Sequence, residues 1–124
     1  MNQQISAKQL TNIGVGKAVT YFMGKGVPVA VPLTGGHHYD FVIDNEGLHR
    51  VQVRVSSYRL PNGTHQVALK EKTNEAFNRD ETDFVFVVCD DGAEYLIPAT
   101  SITTSTTLDL GPKYAHYRIV ERKS

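Results

Sequence analysis

The sequence predicts an α/β fold, more narrowly α+β, in which an N-terminal helix packs on a mixed, mainly antiparallel β-sheet. Three observations carry that expectation. Small and apolar residues recur at helical spacing near the start of the chain. After residue 27 the apolar residues fall in short β-branched runs bounded by turn residues, and the run over 84–89 has no polar interruption. With 124 residues, 40% of them hydrophobic, the chain can build one core and is too short for a multi-domain enzyme. A single domain over 1–124 is expected.

Ser6 and Gln9 have the spacing of a capping box, and Ala7, Leu10, Gly14, Ala18 and Phe22 follow at helical intervals. A helix over about 6–24 is expected, ended by Gly24-Lys25-Gly26. Gly14 and Gly16 each cost a helix about 1 kcal/mol relative to alanine, which points to a close approach to another backbone. Residues 27–32 are β-branched but carry Pro28 and Pro32, so they suit an edge strand or strand ends. Strands over 39–44 and 49–56 then form a hairpin across Asn45-Glu46-Gly47-Leu48.

The hairpin register follows from its apolar faces. Asp44 opposite Leu48 places Phe41 opposite Val51 and Tyr39 opposite Val53 on one face. The other face then receives Asp40 opposite Gln52, with Arg54 two residues along. Three polar groups therefore converge on one side of a sheet. Farther on, Pro61-Asn62-Gly63 is a turn, 65–69 a short strand, and 71–82 a polar connection with room for a helical turn. The run over 84–89 reads as a buried central strand, paired through Asp90-Asp91-Gly92 with 94–98. A short helix from 99 to 102, a Thr/Ser-rich stretch over 103–107 and a tail that is part strand, part disorder complete the reading; the tail carries Tyr114, Tyr117, Arg118, Arg122 and Lys123.

Basic and acidic residues number 13 each, and such neutrality at first argues against a nucleic-acid partner. Position changes that inference. Lys8, Lys17 and Lys25 precede Tyr39 and no acidic residue does, so a basic first segment meets an acidic remainder whose first carboxylate is Asp40. The single cysteine, Cys89, excludes an intramolecular disulfide and a multi-thiolate metal site, and fits a reducing compartment. No stretch approaches the roughly 18 apolar residues that span a bilayer. The polar start Met1-Asn2-Gln3-Gln4 is unlike a signal peptide. A soluble, cytoplasmic protein without membrane association is expected.

Three blocks, in this order, resemble the core of the PD-(D/E)XK nucleases, closest to the intron-encoded and phage-type homing endonucleases. They are Ile13-Gly14-Val15-Gly16-Lys17-Ala18; Tyr39-Asp40-Phe41-Val42-Ile43-Asp44 with Arg50-Val51-Gln52-Val53-Arg54; and Asp83-Phe84-Val85-Phe86-Val87 with Tyr95-Leu96-Ile97-Pro98. The likeness runs from about residue 14 to residue 98. It implies a restriction-endonuclease-like core that hydrolyses double-stranded DNA with Mg²⁺, or Mn²⁺ in its place, as a homodimer or homotetramer. Asp40, Gln52 and the backbone carbonyl of Val53 are the implied metal ligands, and Asp40, Gln52 and Arg54 the implied catalytic set. A hard cation that accepts oxygen ligands and keeps several waters suits such donors. Arg54 departs from the family pattern, which has lysine there: arginine cannot deprotonate, although it can clamp a phosphate bidentately. The first helix also lacks the acidic residue that many members carry, Gln9 and Asn12 being its nearest polar substitutes. The alternative is the same scaffold with cleavage impaired, retained as a DNA-binding or protein-interaction module.

DNA contacts are expected from Lys8 and Lys17 on the helix, from His38 just before Asp40, and from Tyr58, Arg59, Asn62 and His65 around a hairpin loop beside the Gln52 and Arg54 strand. The aromatic and basic tail suits a DNA backbone or a second subunit. Adjacent histidines in an extended chain point apart and seldom chelate one ion, so His37 and His38 are read as loop rather than metal site. Asp44, at a strand end, is read as a turn residue and Cys89 as a core thiol. Gly14-Val15-Gly16 lies within a helix and lacks the rest of a dinucleotide fingerprint.

Overall fold

Ser6 starts the helix as its spacing with Gln9 suggests. Its Oγ accepts from the Gln9 N–H at 3.1 Å, and Gln9 Oε1 accepts from the Ser6 N–H at 2.8 Å, which satisfies two main-chain donors at the helix entrance. The computed structural model describes residues 6–35, 37–69 and 77–120. The helix α1 spans Ala7–Gly24 and buries Gly14, Ala18 and Phe22, one residue per turn. Eight strands follow: β1 (Val29–Ala30), β2 (Phe41–Asp44), β3 (Leu48–Ser56), β4 (Tyr58–Arg59), β5 (His65–Ala68), β6 (Phe84–Cys89), β7 (Glu94–Pro98) and β8 (Thr107–Asp109). Among the described residues, no helix is long and apolar enough to cross a membrane.

The principal sheet has the order β1-β2-β3-β6-β7. Its pairs are antiparallel except β3–β6, which is parallel. This is the mixed, mainly antiparallel sheet that the sequence leads one to expect. The expected hairpin register holds from Asp44–Leu48 to Phe41–Val51. A second, antiparallel sheet, β4-β5-β8, joins the short strand expected over 65–69 to two strands absent from the sequence reading. Its strands β4 and β5 lie within the connection that a parallel β3–β6 pair needs, since parallel neighbours cannot be joined by a tight turn, and β8 joins them from beyond β7.

Two cores result, one on each face of the principal sheet. Ala18 and Phe22 of α1 pack with Phe41, Ile43, Val51, Val53, Phe86 and Val88. On the other face Val85, Val87 and Cys89 pack with Val67, Leu69, Ile97, Ile102, Leu108 and Tyr114. β6 supplies alternate residues to both cores, which is why its sequence shows no polar interruption.

The two helix glycines have different roles. A Cβ at Gly14 would lie 2.7 Å from Val55 Cγ2 and 3.3 Å from Val53 Cγ1, so the close approach is to β3 side chains rather than to backbone. A Cβ at Gly16 would meet nothing within 4 Å. Gly16→Ala is therefore expected to stabilise the protein by up to about 1 kcal/mol through helix propensity. Gly14→Ala should destabilise it by about 1–3 kcal/mol through overpacking. Urea unfolding of the two variants should show opposite signs.

Elsewhere the prolines shorten the first expected strand to Val29–Ala30. The helical turn within the polar connection is Arg79–Glu81, and residues 70–76 lie outside the described residues. Ala99–Ser101 and Pro112–Tyr117 form short 3-10 turns. Tyr114 is buried, and the Tyr117 hydroxyl lies 2.7 Å from Ser101 Oγ. Ile119 N–H donates to Glu94 O at 2.8 Å, and Arg118 bridges to Tyr95. The tail thus covers the open edge of β7 up to Val120; Arg122 and Lys123, like Met1 to Gln4 and Gly36, lie outside the described residues.

Candidate active site

The end of β2 creates the site. Val51 O accepts the Asp40 N–H at 2.8 Å, so odd-numbered residues of β3 direct their backbone groups toward β2. Even-numbered residues direct theirs toward β6, as Arg50 O and Ser56 O accept from Asp83 and Asp90 N–H, both at 2.9 Å. Val53 is the next odd position, and the β2 ladder has already stopped at Phe41–Val51. Asp40 fills the gap: its Oδ2 accepts the Val53 N–H at 2.6 Å. A side-chain carboxylate thereby takes the place of a ladder carbonyl. The Val53 carbonyl, facing the same way, accepts from Arg54 Nη1 at 3.1 Å.

This corrects the upper end of the expected hairpin. Tyr39 and Asp40 precede the strand, and Tyr39 stacks on His37 with ring centroids 5.2 Å apart instead of pairing with Val53. The physical reason is the competition of the Asp40 carboxylate for the β3 backbone. Gln52 alternates with Val51 and Val53, which enter the core under α1, and so projects from the opposite face, where it is only 3% exposed. Asp40, Gln52 and the Val53 carbonyl offer oxygen donors, one anionic and two neutral. That chemistry fits a small hard divalent cation. Arg54, half-buried, adds a fixed positive charge beside it.

The surrounding frame is braced by ion pairs that sequence reasoning missed. Asp83 Oδ2 accepts from Arg50 N at 2.6 Å and from Arg50 Nε at 3.1 Å, while Oδ1 accepts from Nη2 at 3.3 Å. These partners are 33 residues apart in sequence, and the visible clue was a lone carboxylate opening an apolar strand. His38 pairs with Glu81 at 2.8 Å, and Thr82 Oγ1 donates to His38 O at 3.3 Å, tying the loop before Asp40 to the entry of β6. The hydrogen bond from Arg50 holds the Asp83 carboxyl below its ordinary range, against the opposing effect of burial. A depressed folded value means that this stabilisation is complete above the unfolded carboxylate value, near 4, and is lost as pH falls through the folded value. Asp83→Asn is accordingly expected to flatten the acid limb of stability against pH. An unchanged limb below about pH 4 would contradict the assignment.

The expected DNA-contacting residues scatter. Lys8 and Lys17 are exposed on α1, the layer on the opposite face of the sheet from Gln52. His38 is committed to Glu81. Tyr58 is exposed; Arg59 lies 3.7 Å from Asp90 and 3.6 Å from Asp91; Asn62 Oδ1 accepts from Thr64 N–H at 3.0 Å and so shapes its own turn. His65 is 9% exposed with Nε2 only 2.7 Å from Asp90 Oδ1, so the ring faces inward and is withdrawn from the DNA-facing set. Asp44 is an exposed strand end. Cys89 is buried, its thiol pushed up to about 11 by burial and then by Asp91 and Asp90, which leaves it protonated near neutrality.

No curated protein matches the chain. Among solved structures it is similar to a bacterial homing endonuclease, I-Ssp6803I, with a TM-score of 0.77 at 24% identity over 93% of this chain and 88% of that one. At that identity the likeness is one of fold. The sequence model of the PD-(D/E)XK endonucleases matches residues 5–123, nearly the whole chain. With that match, the chain belongs to the PD-(D/E)XK endonuclease family.

Proposed function

We propose that this protein is a Mg²⁺-dependent endonuclease of double-stranded DNA, of the homing-endonuclease type, with Asp40, Gln52 and Arg54 as its catalytic residues. The observation that carries the proposal is the Asp40 carboxylate bonded at 2.6 Å to the N–H of Val53, the residue between Gln52 and Arg54. Asp40, the Gln52 side-chain oxygen and Val53 O would hold the cation, with Mn²⁺ as a substitute. When bound, the metal supplies a more acidic water and offsets charge on the phosphate.

The chain's own residues orient the substrate. The bond to Val53 fixes the Asp40 carboxylate in place, so the site needs little rearrangement on loading. Arg54 presents a guanidinium that pairs with non-bridging phosphate oxygens and offsets the charge that grows as water oxygen bonds phosphorus and one ester P–O bond breaks. Arg54 takes no proton, so the proton from the attacking water must leave to solvent or a phosphate oxygen. Tyr58 and Arg59 on β4 and Asn62 in the turn that follows, with Lys8 and Lys17 on α1, supply contacts to the backbone and base edges. One site per chain cuts one strand, so a homodimer or homotetramer is proposed for a double-strand break. The single buried Cys89 accords with a cytoplasmic setting.

One observation favours a second reading, a DNA-binding module with impaired cleavage. Arg54 Nη1 already engages the Val53 carbonyl at 3.1 Å, one of the oxygens assigned to the cation. Supercoiled plasmid incubated with Mg²⁺ or Mn²⁺ separates the readings. Nicking or cutting by the unaltered chain supports the nuclease; absence of cleavage with salt-sensitive DNA binding supports the module. Arg54→Lys is expected to raise the cleavage rate about tenfold or more, since lysine can orient and deprotonate water. An unchanged rate would show that arginine serves as well at this site, and a lower rate that it serves better.

A further inference from the structure

A second cluster lies at the far end of β6, away from the Asp40 gap. A ring nitrogen of His65, Sγ of Cys89 and a carboxylate oxygen of Asp91 all lie within 4.8 Å of one another. We propose that His65, Cys89 and Asp91 form a binding site for a borderline transition-metal dication such as Zn²⁺, distinct from the Mg²⁺ site. Thiolate and imidazole donors select such ions over Mg²⁺, and three protein ligands leave the fourth tetrahedral position to water.

The backbone around the cluster is fixed independently. Cys89 is paired with Ser56 across the parallel β3–β6 ladder, and its N–H donates to Ala93 O at 2.8 Å. Asp91 Oδ1 accepts from Ala93 N–H at 3.0 Å, which holds its carboxylate over the turn. His65 O accepts from Leu110 N–H at 2.9 Å. Asp90 lies 2.7 Å from His65 Nε2, so a neutral ring donates there and keeps its lone pair on the other nitrogen. A carboxylate on one nitrogen of a ligand histidine is the usual support of metal-bound imidazoles. Arg59 and Arg118 face the cluster and oppose a cation, while Asp90, Asp91 and the thiolate formed on binding outweigh them. Because the thiol is protonated without metal, binding releases one proton from Cys89. The metal would cross-link β5 to the β6–β7 turn and so fix β4, which carries Tyr58 and Arg59, and the turn that carries Asn62.

Co²⁺ titration of the full chain tests this, because Cys89 is the only thiol and any thiolate-to-cobalt absorption band reports on it. The expected result is a band saturating at one Co²⁺ per chain, lost in Cys89→Ser and retained in Asp40→Ala. Asp90→Asn, which leaves all three ligands in place, should weaken affinity by about tenfold or more through the loss of ring support. Zn²⁺ should raise the Tm of the unaltered chain and leave that of His65→Gln unmoved, each variant compared with itself. No band at millimolar Co²⁺, or equal affinity in His65→Gln, would overturn the proposal. Loss of DNA cleavage bears only on the Asp40 site, so the two proposals fail separately.

Discussion

Asp40→Asn is expected to lower DNA cleavage by about a hundredfold or more while leaving the fold intact. The amide oxygen of asparagine can still accept the Val53 N–H, now bonded to Asp40 Oδ2 at 2.6 Å, so the end of β2 stays in register. What disappears is the only negative charge in the proposed oxygen donor set, since Gln52 and the Val53 carbonyl are neutral. A hard dication loses most of its attraction to such a site. Asp40→Ala removes both the charge and the acceptor, and should combine loss of cleavage with a lower Tm. Plasmid nicking assays run beside thermal melts separate these effects. Full cleavage by Asp40→Asn would remove the carboxylate from the mechanism.

The largest expected effect on stability is that of Phe86→Ala. Phe86 is fully buried in the centre of β6, with ring centroids 5.6 Å from Tyr21 and 6.1 Å from Phe22. It joins the helix to the sheet strand that serves both cores. Truncating a buried phenylalanine costs about 3–5 kcal/mol from lost transfer energy and the cavity left behind. That is a large share of the roughly 5–15 kcal/mol by which single domains are stable. Urea unfolding should show a midpoint shift of that size with little change in slope. A loss below about 1 kcal/mol would mean that α1 contributes little to the fold.

Much of the fold was legible because its signals are local. The capping box of Ser6 and Gln9 starts α1 as its spacing indicates, and Phe41 opposite Val51 follows from matching two apolar faces across a short loop. The unbroken run of β6 marks burial on both faces. What stayed hidden depends on contacts between remote segments. Nothing in the chain near Ser56 announces that it pairs in parallel with Cys89, and the sheet β4-β5-β8 joins residues 58–68 to a Thr/Ser-rich stretch that lacks a strand pattern.

The site shows the same division. Asp40, Gln52 and Arg54 were named as candidates from alternation on a hairpin together with the family resemblance. That the Asp40 carboxylate ends the ladder by capturing Val53 N–H is a side-chain event that periodicity does not encode. The register was carried two pairs too far, through Asp40–Gln52 to Tyr39–Val53, for that reason. His65 was read as a DNA-contacting residue of a hairpin loop; in the structure it is buried on β5, with Nε2 2.7 Å from Asp90 Oδ1, a partner 25 residues away. Gly16 was read as a contact because glycine in a helix usually has a reason, and here the structure shows only open space beside it.

The central claim is that Asp40 anchors a divalent cation against DNA. Mn²⁺ binding to the chain bound to an uncleavable phosphorothioate duplex, followed by electron paramagnetic resonance, tests it most directly. The account predicts one Mn²⁺ per chain in the complex, with Asp40→Asn losing it while still binding the duplex. Equal Mn²⁺ binding by the two proteins would contradict it.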